Sequence, residues 1–461
     1  MMAADLQLIY YVVVFLWLTY LPVAATSLMR WLRNRARYLR TSFQRLRNDP
    51  HIIFQITTRS ASSSDVVRRG IASIRAAASA ISYSEYTIQV VTDDPKDASY
   101  LEGEGCEVIV VPRSYRTANG SIRKARALQY AVEHRRGRSL NTDKLWVYHM
   151  DEESYVTPQT LLSLLAFIQE GRGLVGEGPI VYPLKYASAS RVTRLAESIR
   201  PFQCYDCVSQ MTSPPPLHMH GSNLLVRADV EDEVGWDHGD TLAEDQLFGI
   251  AIYKRYGDVF GWHGGVLLEQ PPLTVRDHFQ QRRRWVIGIL QNFKHLTLKM
   301  RLRMYLRAYT YWLGFLSAVA SAAMYLYYFL QEALSTLAKL VGFTYVKPEA
   351  QPLPIMTPES IARSLEQGVS LTITWESTLS TVLGAALLFS FIVWLLSYQI
   401  GLSWNLRYVG MGGLKRLGIH IQQLLLAPIV GMVETFPAFY AVIEFYILHR
   451  RYFKDFYVVA K

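Results

Sequence analysis

Hydrophobic positions along this chain fall into two regimes. Residues 6–28, "LQLIYYVVVFLWLTYLPVAATSL", run without a charge and are long enough to cross a hydrocarbon core of about 30 Å as a helix. Leu306 to Leu330, Leu379 to Leu402 and Ile419 to Leu448 are further long apolar stretches, the last interrupted by Pro428, Glu434 and Pro437. Those interruptions leave two readings of 419–448, a full span or a broken, partly interfacial helix. The pattern therefore divides the chain into an N-terminal transmembrane anchor at 1–30, a basic juxtamembrane linker at 31–50, a soluble domain at 51–300, and a C-terminal membrane domain at 301–461 with two or three transmembrane helices.

Within the soluble part the period changes. "HIIFQITTR" (51–59), "YTIQVVTDD" (86–94), "CEVIVVP" (106–112) and "KLWVYHM" (144–150) are short, β-branched or aromatic runs, which read as strands. Residues 64–80, 119–134 and 241–257 have helical spacing instead. Strands alternating with helices predict an α/β domain with a parallel sheet and helices on both faces. In such sheets ligands bind beyond the carboxyl ends of the strands.

Charge changes the picture in one respect. The net charge is +10, but much of it lies in "RWLRNRARYLRTSFQRLR" behind the first apolar stretch and "KHLTLKMRLRMYLR" before the second. Basic flanks of this kind face the cytoplasm and contact anionic membrane lipids. An integral membrane protein with a cytoplasmic catalytic domain is expected, and no nucleic acid partner. Three cysteines do not make a disulfide framework. Cys204 and Cys207 form "CYDC", but without a second pair for a four-ligand zinc site they read as structural thiols.

The candidate chemistry is acidic. Asp151, Glu152 and Glu153 follow the fourth strand, and Asp93 and Asp94 end the second. Acids at that rim suit Mg²⁺ or Mn²⁺ under a diphosphate; they could equally cap a helix starting near Thr157 and Pro158. Arg123, Lys124 and Arg126 open a helix near the third strand, where cations suit a phosphate. Gly221, Ser222 and Asn223 form a turn, Glu244 and Asp245 start another helix, and Gln281-x-x-Arg284-Trp285 lies just before the second apolar stretch.

In this order, "VVTDD", "HMDEES", "AEDQ" and "QRRRW" resemble the membrane-bound family 2 glycosyltransferases, which include cellulose, chitin and hyaluronan synthases and share a GT-A (Rossmann-like) catalytic domain. Longer segments, "VVPRSYRTANGSIRKARALQY" and "EQPPLTVRDHFQQRRRW", look like the egghead-type β-1,4-mannosyltransferases. The resemblance implies an inverting transfer of mannose from GDP-mannose, a nucleotide sugar donor, to a lipid-linked acceptor, with a divalent cation, Mg²⁺ or Mn²⁺. It assigns Asp93, Thr57 and Arg59 to the nucleotide, and Asp151 and Glu153 to the metal. Lys124, Arg126, Gln281 and Arg284 fall to the diphosphate, Asp245 to the general base with Glu244 beside it, and Trp285, Gly221, Ser222 and Asn223 to the acceptor. The family's D-x-D reads Asp-Glu-Glu here. Two alternatives stand beside this one: a processive polysaccharide synthase, which would need a translocation channel, and a non-catalytic sugar-nucleotide-binding membrane protein, which would need no base.

Overall fold

In the computed structural model, which describes residues 2–39, 50–63, 65–138, 144–213, 215–341 and 375–450, the four apolar runs pair in parallel. They are β1 (His51–Thr58), β2 (Tyr86–Thr92), β3 (Glu107–Val110) and β4 (Leu145–Asp151). β1 lies between β2 and β4, and both β1 and β4 are buried along nearly their whole length. Strands covered on both faces need continuous apolar runs rather than alternation, which is how these segments read. On one face α2 (Val66–Ala80) and α5 (Pro158–Gln169) pack through Ile71, Ile74, Leu161 and Leu164. On the other, α4 (Arg123–Arg136), α7 (Arg200–Met211), α8 (Ala228–Val234) and α9 (Glu244–Tyr256) pack through Leu128, Val208, Val230 and Phe248.

The second half of the sheet departs from the expected parallel order. β7 (Leu224–Arg227) runs antiparallel to β4 and to β5 (Val175–Glu177), and β8 (Phe260–Trp262) closes the edge parallel to β5. The seven-stranded order is β3-β2-β1-β4-β7-β5-β8, with β6 (Ile180–Val181) and β9 (Leu267–Leu268) as a separate pair. The reversal has a consequence for the site. His149, two residues before the end of β4, pairs with Leu224, the first residue of β7, so the turn that enters β7 reaches the same rim as the acids that leave β4.

The apolar stretches also differ in detail from the pattern. α1 (Met2–Leu39) continues through the 30/31 boundary as one helix, since no helix breaker stands there, and Asn34 donates to Ser209 Oγ on α7 at 2.7 Å. α11 (Leu298–Leu340) contains the stretch from Leu306 to Leu330. Two described segments are long and apolar enough to cross a membrane: Ala385–Arg407, in α12 (Trp375–Arg407), and Ala427–Tyr446, which is α14. The stretch 419–448 is broken at Leu426, where α13 (Gly413–Leu425) ends and α14 begins. α13 leaves Leu414, Leu417, Ile421, Leu424 and Leu425 exposed along one side. Residues 40–49 of the basic linker and the basic tail at 451–461 lie outside the described residues.

The acids within the last apolar stretch have their partners on an earlier helix. α10 (Val275–Asn292) lies against α14, and Glu434 accepts from Arg282 Nε at 3.1 Å and stands 3.2 Å from His278 Nε2. Glu197 completes the group, 2.7 Å from Arg282 Nη2 and 2.8 Å from His278 Nδ1. Ten residues beyond Glu434 along the same helix, Glu444 pairs with Arg283. The acids of α14 thus join it to the helix that carries Gln281, Arg284 and Trp285.

Candidate active site

A cavity of about 820 Å³ opens at the carboxyl ends of β1 and β4. β1 delivers Thr57, β4 ends in Asp151, and Glu152 and Glu153 continue along the wall. The helix that follows is capped by Thr157, whose side chain accepts the Thr160 N–H at 3.1 Å, with Pro158 in the first turn. Glu152 instead accepts from the Thr58 hydroxyl.

Lys124, in the first turn of α4, ties three elements together. Its Nζ donates to Asp151 Oδ1 and, at 2.8 Å, to the Gly221 carbonyl in the turn before β7. Gly221 is held closely: a Cβ there would stand 3.2 Å from Lys124 Nζ and 3.3 Å from Asp245 Oδ2. Asp151, Lys124 and Asp245 therefore meet around a residue with no side chain. α4 is fixed at its far end by the buried Arg135, paired with Glu231 at 2.8 Å and with Asp232. The loop before it is held by Asp237, which accepts the backbone N–H of Asn119 at 2.6 Å.

Asp245 sits at the start of α9, where its Oδ1 accepts the Gln246 N–H at 2.8 Å. Removal from water, then the neighbouring Glu244 charge, push its carboxyl up to about 7, while Gln246 and Lys124 pull the other way. Burial works against the charge of Lys124, but Asp151, Glu244 and Asp245 outweigh it and raise its pKa. Arg284 reaches the same wall from α10. Burial lowers its pKa, partly offset by Glu244, Asp151, Asp245 and Glu153.

Several sequence-predicted residues meet here and others do not. Thr57, Arg59, Asp93, Lys124, Asp151, Glu153, Gly221, Ser222, Glu244, Asp245, Gln281, Arg284 and Trp285 all line the cavity. Arg126 pairs with Asp93 and also donates to the Pro112 carbonyl at 3.0 Å, so it sits behind Asp93. Asn223 is fully buried in the left-handed region (φ 56°). Its amide donates to the Pro179 and Gly265 carbonyls, both at 2.9 Å, and its oxygen accepts from Tyr148 at 2.6 Å. Asn223 therefore points inward and builds the turn that Gly221 needs. Ser222 donates to Glu269 at 2.6 Å. Trp285 lies under two cations, with Arg200 and Arg282 at 4.3 and 4.5 Å from its ring centre.

The donor set fits a hard divalent cation, because Asp93, Asp151, Glu152 and Glu153 offer only carboxylate oxygen. A different cluster went unnoticed in the sequence. Cys207, His218 and His220 bring one ligand atom each to within 4.8 Å of one another. The C-x₁₀-H-x-H spacing was the available signal.

Comparison with known families covers the part of the cavity wall from β4 onward. The family description "Glycosyl transferase family group 2" matches residues 146–347. Beta-1,4-mannosyltransferase bre-3 of Caenorhabditis briggsae is 32% identical over 213 residues, 44% of this chain and 45% of the relative. Beta-1,4-mannosyltransferase egh of Drosophila melanogaster is 30% identical with the same coverage. The match thus spans about half the length of the curated relatives. Among solved structures, mannosyltransferase PcManGT from Pyrobaculum calidifontis in complex with GDP-Man and Mn²⁺ overlaps 81% of this chain and 98% of its own, with a TM-score of 0.44 and 15% identity. The family match takes in the acids that follow β4, the Gly221 turn, Asp245 and the Gln281–Trp285 motif, and over residues 146–347 the chain is similar to the family 2 glycosyltransferases.

Proposed function

We propose that this chain transfers one mannose from GDP-mannose, with inversion, to a lipid-linked sugar at the cytoplasmic face of a membrane. The carrying observation is the meeting of Asp245 with Lys124 and Asp151 around Gly221 in one cavity. The relatives' names support mannose and a β-1,4 linkage. The two apolar segments and the basic flanks support the membrane location and its orientation.

In this reading Asp93, Thr57 and Arg59 receive the nucleotide. Lys124 and Arg284, with Gln281, receive the diphosphate, and Arg126 holds Asp93 in place. Asp151 and Glu153 would hold Mg²⁺ or Mn²⁺, which when bound supplies positive charge for the leaving diphosphate. Asp245 accepts the proton of the attacking hydroxyl, a role that a carboxylate with a pKa near the working pH performs well. Glu244 keeps that pKa high. Gly221 lets Lys124 and the base close on the turn at the acceptor side, Ser222 and Asn223 hold the turn, and Trp285 with its two arginines walls the acceptor side. The chain divides accordingly into an anchor, a cytoplasmic GT-A domain and a C-terminal membrane domain.

Detergent-purified full-length protein given GDP-mannose and a panel of glycosylated lipids should release GDP and extend the acceptor by one β-linked hexose. A preference for UDP-sugars, or a ladder of polymer, would refute the proposal. The pH dependence is also fixed in sign. Asp245 is protonated below its raised pKa, so kcat/KM should rise with pH through about 7. Glu244→Gln removes a charge that opposes ionisation and should move that limb to lower pH; a limb that stays in place or moves up contradicts the electrostatic account.

A further inference from the structure

We propose that Cys207, His218 and His220 form a zinc site with three protein ligands, separate from the acidic rim and independent of the sugar that the enzyme transfers. The donor set is one sulfur and two imidazole nitrogens, which favours zinc over Mg²⁺ or Mn²⁺. Geometry agrees with chemistry. Cys207 Sγ lies 3.5 Å from His218 Nδ1 and 3.3 Å from His220 Nε2. Bonds of about 2.3 Å to sulfur and about 2.05 Å to nitrogen, at a tetrahedral angle, separate S and N by about 3.6 Å.

The site is built by two elements that the fold brings together. Cys207 is buried in α7. His218 and His220 stand two residues apart with their ring centres at 5.3 Å, while Met219 between them packs on Gly249. The His220 N–H is held by buried Glu177 Oε1 at 2.5 Å. All three ligand residues also line the cavity, from which a water would supply the fourth ligand.

A bound zinc ion would join α7 to the segment that continues directly into Gly221, whose carbonyl holds Lys124. Its role is positioning: it sets the turn against which Lys124 and Asp245 are placed.

The test is metal content. Full-length protein carrying an affinity tag without histidines, purified in detergent without added metal and then exposed to zinc chloride and desalted, should hold about one zinc per chain by elemental mass spectrometry. Cys207→Ser and His220→Ala should each lose most of it, whereas Asp151→Ala should keep it. Cobalt chloride in place of zinc should give a thiolate-to-metal charge-transfer band in the wild type and in Asp151→Ala, absent from Cys207→Ser. Folded wild-type protein that retains no zinc and shows no such band with cobalt overturns the proposal, and so does full zinc retention in Cys207→Ser. Because the readouts do not involve turnover, a failure here and a failure of the mannose-transfer reading are distinguishable.

Discussion

Asp245→Asn should lower turnover by about 10²–10⁴-fold, the range that a positioned general base contributes, while donor binding changes little. The amide keeps the shape of the carboxylate and its place at the start of α9 but cannot take a proton. The acids proposed for the metal are on another segment, at the end of β4. Loss of a negative charge near a diphosphate should leave donor affinity unchanged or slightly tighter. GDP release under saturating donor gives the first quantity and calorimetric titration with GDP-mannose the second. Turnover within about tenfold of wild type would remove Asp245 from the base role; lost donor binding with it would make the residue a binding group instead.

Glu434→Ala should destabilise the protein by about 3–5 kcal/mol, because removing one member of a buried ion-pair group leaves its partners charged and uncompensated. Glu197 and Glu434 balance Arg282 and His278, and all four are buried. Without Glu434 the balance fails on the face of α10 that packs against α14. Thermal unfolding in detergent measures the loss. Arg282→Met combined with Glu434→Leu should recover most of the stability, since apolar residues of similar volume can replace a buried pair. It leaves His278 with Glu197. A single Glu434→Ala protein that unfolds like wild type would show that the group does not hold α14 in place.

The elements that the residue pattern reached are those set by local rules. The β1, β2 and β4 runs are strands because buried parallel strands need unbroken apolar stretches, and the helix at 241–257 begins within three residues of its expected start. Asp151, Asp245 and the Gln281–Trp285 motif line one cavity, and their order along the chain already carried that. Asn223 was misplaced as an acceptor contact because a Gly-Ser-Asn turn looks the same whether its last residue faces solvent or, as here, satisfies three buried groups.

Sequence alone determined the strands β1 to β4, the helices at 64–80, 119–134 and 241–257, and the residue types available for the chemistry, since each follows from neighbours a few positions apart. Tertiary structure decided what lies between distant positions. β7 runs antiparallel to β4, which carries Gly221 to Asp151 and Asp245. Glu434 is the partner of Arg282, 152 positions away. Cys207 meets His218 and His220. Hydrophobic period and helix or strand spacing describe how a segment buries itself. Which segments then face one another depends on sheet order and helix packing, and so on contacts that no local period records.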